Sequence, residues 1–67
     1  MLDAVTLSPE AREALEELSH FAPGDIAPPV PFAIAEELIQ VGLAHEDAAG
    51  GTAITDLGRL WMRDNPR

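Results

Sequence analysis

The chain has 67 residues, twelve acidic residues against four arginines and no lysine, a net charge of −8 and no cysteine. These counts exclude a disulfide-stapled miniprotein and a thiolate metal site, and they oppose general electrostatic attraction to DNA or anionic lipid. The length fits one domain over 1–67, and an apolar content of 46% at regular spacings argues against disorder. The N-terminal Met1-Leu2-Asp3-Ala4-Val5 has no basic region and no long apolar stretch, and no run approaches the roughly 20 apolar residues that span a bilayer. The expected setting is therefore cytoplasmic, with no membrane contact.

The first predicted helix covers residues 9–20. Ser8 is a favoured N-cap, and Pro9 is tolerated at the first helical position because its missing N–H is not needed there. Ala11, Ala14, Leu15 and Leu18 fall within an arc of about 100°, with Glu10, Glu13, Glu16 and Glu17 on the other side. His20-Phe21-Ala22-Pro23-Gly24 ends the helix. Pro23, Gly24, Pro28, Pro29 and Pro31 make 23–31 a stiff, irregular connection, from which Ile26 and Val30 are available to point inward.

A second helix is predicted from Pro31 to Val41. Phe32, Ile34, Ala35, Leu38, Ile39 and Val41 cover about half the helical circle, leaving Ala33, Glu36, Glu37 and Gln40 for the outside. Gly42 is placed to end it in left-handed conformation. Leu43–Glu46 and Thr52–Thr55 read as two short strands around the turn residues Asp47-Ala48-Ala49-Gly50-Gly51. Leu43 and Ile54 are expected in the core. Thr55 is expected to cap a third helix with Asp56 in its first turn. Leu57, Leu60 and Trp61 form its core side, Arg59 and Arg63 lie opposite, Met62 lies off the core face, and Asn65-Pro66 stops the helix.

The fold class is thus α+β, three helices and a two-stranded hairpin in the order α-α-β-β-α. With Leu38-Ile39-Gln40-Val41-Gly42-Leu43-Ala44, a Gly-containing hairpin and Ile54-Thr55-Asp56-Leu57-Gly58-Arg59, the chain resembles a winged-helix domain of the MarR and PadR type over residues 31–62. The resemblance implies that 31–41 is the recognition helix, that 43–55 is the wing, that Gly58 permits close backbone packing, and that the activity is DNA binding and transcription regulation. The helix-turn-helix is truncated, because the Pro-rich 23–30 stands where a further helix belongs.

The residues at the expected DNA face have the wrong sign. Phe32, Ala33, Glu36, Glu37 and Gln40 include no cation, whereas groove readers lean on Arg for guanine and phosphate. Glu46 and Asp47 on the wing add negative charge. Residues 1–54 hold ten acids and one Arg, net −9, and residues 55–67 hold two acids and three Arg, net +1.

No catalytic constellation is apparent. Ser19 and His20 are neighbours about 100° apart on a helix and do not face each other. His45, Glu46 and Asp47 lack a metal-site spacing, Gly50-Gly51 lacks the helix and Lys of a phosphate loop, and the adjacent pairs Glu16/Glu17 and Glu36/Glu37 lie on exposed faces. No enzyme activity, cofactor or small-molecule substrate is expected.

The apolar arc of the second helix is wider than one core requires. Either it is the central helix, covered all round, or Phe32, Ile39 or Val30 meets a partner or a second copy of the chain. The expectation is a small acidic protein–protein interaction module, an adaptor or regulator in a regulatory or phage/prophage-type setting, with contacts at Phe32, Glu36, Gln40, Glu46 and Asp47 or on the acidic face of the first helix. The alternative is a winged-helix transcriptional regulator that places Arg59, Arg63 and Arg67 on phosphates.

Overall fold

A computed structural model describes residues 6–22, 25–48 and 50–66. The order is α1 (Pro9–Leu18), α2 (Phe32–Gln40), β1 (Ala44–Glu46), β2 (Thr52–Ile54) and α3 (Asp56–Asp64). The strands form one antiparallel pair with Ala44 opposite Ile54, His45 opposite Ala53 and Glu46 opposite Thr52. The α+β class and the α-α-β-β-α order therefore hold. Met1–Val5, Pro23, Gly24, Ala49 and Arg67 lie outside the described residues.

α1 begins as its sequence dictates. The Ser8 hydroxyl oxygen accepts from the Ala11 N–H at 3.1 Å, and Pro9 follows the cap. The helix stops at Leu18, two residues before the expected end. There the Ser19 hydroxyl donates to the Glu16 carbonyl at 2.6 Å. The His20 and Phe21 N–H groups reach only three residues back, to Glu17 and Leu18. This tighter winding closes the last turn.

The end of α2 follows from two residues. The Gly42 N–H donates to the Ile39 carbonyl and the Leu43 N–H to the Leu38 carbonyl, both at 3.0 Å. Gly42 has φ +81°, a conformation that glycine enters at little cost. This is the Schellman arrangement, and its apolar pair, Leu38 and Leu43, is fully buried. α2 begins at Phe32, with Pro31 as a cap that has no side-chain hydrogen bond.

Thr55 ties the neighbouring elements together. Its hydroxyl donates to the Gly42 carbonyl at 2.7 Å and accepts from the Gly58 N–H at 3.0 Å, while its N–H donates to the Leu43 carbonyl at 3.1 Å. One side chain thus caps α3 and holds it against the end of α2. A Cβ on Gly58 would collide with the Leu43 carbonyl oxygen and lie 2.7 Å from Ile54 Cγ1, so only glycine fits this close approach.

Gly58 also sets which face of α3 turns inward. Trp61 is 3% exposed and Met62 packs against the core, whereas Leu57 and Leu60 are 39% and 40% exposed. The expectation that Leu57 and Leu60 share the core side with Trp61, and that Met62 lies off it, is corrected. The helix is rolled so that its backbone at Gly58 touches Leu43, which carries both leucines to the flank.

The core joins Ala11, Leu15 and Leu18 of α1 with Leu38, Leu43, Ala44 and Trp61. Each fully buried Leu stabilises the fold by about 1.5–3 kcal/mol through burial. Leu43 is in the core as expected, and Ile54 packs against it half-buried. Ala44 is buried too. Val30 turns inward, but Ile26 is 94% exposed. Residues 25–30 carry no helix. No helix among the described residues is long and apolar enough to cross a membrane.

Candidate protein-docking surface

Ile34, Ala35 and Leu38 turn the inner side of α2 toward the fold, half-buried or buried. At about 100° per residue, Ile39, Phe32, Glu36, Gln40 and Ala33 then occupy the opposite arc of about 120°. All five are exposed. Phe32 is 79% exposed and Ile39 41%. Two large apolar side chains, seven residues apart on this arc, therefore face water, with one carboxylate and one carboxamide on the same arc.

Glu37 departs from its expected outward place. Its carboxylate accepts from the Ser8 N–H at 2.9 Å and from the Ser8 hydroxyl at 3.0 Å, and the side chain is half-buried. A residue of α2 thereby caps the start of α1, where an anion also suits the helix dipole. The two carboxylates of the Glu36/Glu37 pair thus have different jobs: Glu37 fastens two helices, and Glu36 faces outward.

The hairpin residues divide in the same way. Glu46 is exposed at the end of β1. The Asp47 side chain folds into the turn, where Oδ1 accepts from the Gly51 N–H at 2.8 Å. The Asp47 N–H donates to the Gly51 carbonyl, and Gly50, at φ +86°, donates back to the Asp47 carbonyl. His45 is exposed, its Nδ1 lying 3.1 Å from the Glu46 carbonyl oxygen. Among the described residues no group of three His, Asp or Glu side chains is placed to hold a metal ion.

The arginines are largely turned to intramolecular use. Arg12 stacks 5.2 Å from the centroid of the Trp61 ring and donates to the Asn65 carbonyl. Arg59 donates to the Ser19 carbonyl at 3.1 Å and to the Phe21 carbonyl at 2.8 Å. It thus binds the chain that leaves α1. Arg63 is exposed in the last turn of α3, and Arg67 lies outside the described residues. The intramolecular grips of Glu37 and Arg59 link residues 29 to 40 positions apart, and no local sequence pattern signals either.

The acids of α1 line a second surface. Glu10, Glu13 and Glu17 border a shallow groove whose apolar wall is Ala14, Pro31 and Ile34. Both serine hydroxyls are bonded: Ser8 donates to Glu37, and Ser19 to the Glu16 carbonyl.

Comparison with protein-family models, with curated proteins and with solved structures finds no match to this chain.

Proposed function

We propose that the protein is a small non-enzymatic interaction module, an adaptor or regulator that docks a protein partner on the outer face of α2. The observation that carries this reading is the exposure of both Phe32 and Ile39 on one face of a helix whose other side packs on the fold through Ile34, Ala35 and Leu38. Water contact with two large apolar side chains is unfavourable, and a partner that covers them recovers that free energy. Glu36 and Gln40 supply polar contacts at the edge, and the exposed Glu46 of the hairpin is a further contact in this reading. A cytoplasmic setting belongs to this reading and is supported by the absence of cysteine from the sequence.

The rival is a winged-helix-like regulator that binds DNA. The element order supports it, but the outer arc of α2 offers no cation, and Arg59 already holds two carbonyl oxygens. The discriminating experiment is an NMR titration of the labelled chain with a mixed-sequence duplex at low and then physiological salt. The expected result is no movement of the Arg59 and Arg63 amides at either salt. Shifts of those amides at low salt that fade as salt rises would overturn the interaction reading in favour of phosphate contact.

A further inference from the structure

The docking surface has a spacing and a sign, and together they specify a class of partner. Phe32 and Ile39 are seven residues apart on one face, two helical turns or about 10.5 Å along the axis. That is the interval at which an amphipathic helix repeats its own apolar positions, so a second helix laid along α2 brings one apolar side chain to each anchor.

The sign follows from where the charges go. The chain carries twelve acids and four arginines. Arg12 is turned onto Trp61 and Asn65, and Arg59 onto the chain after α1. Glu36 lies within the apolar stripe, and Glu10, Glu13, Glu17 and Glu46 are exposed elsewhere. A second copy of the chain would bring its own −8 against this one. Like charges oppose that encounter, and phosphate is repelled for the same reason, whereas a cationic partner is drawn in. Two apolar anchors with one central carboxylate suit a transient contact rather than a permanent one.

We propose that the outer face of α2 takes a cationic amphipathic helix, with apolar residues on Phe32 and Ile39 and a Lys or Arg on Glu36. This inference rests on the interaction reading above and adds the identity of the occupant. Glu36 fixes the register, because a cation half-way between two apolar residues of the partner is the arrangement it pairs with.

The test uses the full chain and three synthetic two-heptad peptides. One has Leu at the apolar heptad positions and Lys elsewhere, one has Glu in place of Lys, and one has the Leu/Lys composition in scrambled order. Binding is followed by NMR at physiological salt, alongside sedimentation of the free chain. The expected result is that the ordered Leu/Lys peptide moves the Phe32, Glu36 and Gln40 amides, and that Phe32→Ala with Ile39→Ala weakens it about tenfold or more. The scrambled peptide should bind wild type and variant with the same low affinity.

Equal binding of the ordered Leu/Lys peptide to wild type and double variant would overturn the inference, since the acidic field alone would then explain it. Equal or tighter binding of the Leu/Glu peptide would overturn the cationic occupant and leave the docking face standing. Dimers that disperse in the double variant would replace the occupant with a second copy, again with the face intact. A monomer that binds neither ordered peptide would overturn the inference and the interaction reading together.

Discussion

Phe32 and Leu38 are large apolar residues of the same nine-residue helix, and they meet opposite fates. Leu38 is fully buried, its carbonyl accepts from the Leu43 N–H, and its side chain belongs to the core cluster. Phe32 is 79% exposed. Around Leu38 each feature serves two purposes: Gly42 ends α2 and admits Leu43, Thr55 caps α3 and holds Gly42, and Gly58 donates to that cap and lets α3 approach Leu43. Around Phe32 and Ile39 the helix shows only outward side chains. The contrast separates residues that make the fold from residues that the fold displays.

That contrast is sharpest at Gly58. Gly58→Ala forces a methyl group against the Leu43 carbonyl and Ile54, so α3 must move off the core. A cost of about 3 kcal/mol or more is expected. A single core this small supplies only about 3–5 kcal/mol, so thermal unfolding followed by circular dichroism should show a much lower midpoint, with up to about half of the chain already unfolded at room temperature. Leu38→Ala should cost about 2–5 kcal/mol in urea unfolding, through lost burial and the cavity left behind.

Smaller effects belong to the polar ties. Thr55→Val keeps the shape of the side chain but removes both hydroxyl bonds, to the Gly42 carbonyl and the Gly58 N–H. A loss of about 1–2 kcal/mol is expected in the same measurement. Glu37→Gln retains one acceptor but loses the charge at Ser8, and should cost about 0.5–1 kcal/mol. Hydrogen exchange at the Ser8 and Ala11 amides should quicken in that variant, because the cap of α1 is what loosens.

Much of the fold was legible in the sequence because its signals are local. Ser8-Pro9, Gly42 and the cap bond that Thr55 accepts from Gly58 act through backbone groups a few residues away, and all three stand where the pattern put them. The orientation of α3 was not legible. Counting apolar side chains favours Leu57 and Leu60, but the inward face is chosen by the residue with no side chain, Gly58. Glu37 and Arg59 were not legible either, since the groups they hold lie far away in the chain. For the candidate docking face, the wide apolar arc of α2 left two readings open: full cover, or Phe32, Ile39 or Val30 without it. Which one depends on where α1 and the hairpin pack: they enclose Leu38 and leave Phe32 and Ile39 outside.

The smallest expected change is the most informative. Urea unfolding of Phe32→Ala with Ile39→Ala, set beside Leu38→Ala, asks directly whether the outer face of α2 is displayed or structural. Lost partial burial at Ile39 is offset by the better helix propensity of alanine, so the double variant should unfold within about 1 kcal/mol of wild type. A loss as large as that of Leu38→Ala would show that Phe32 and Ile39 hold the fold together, and would contradict their assignment as a docking surface.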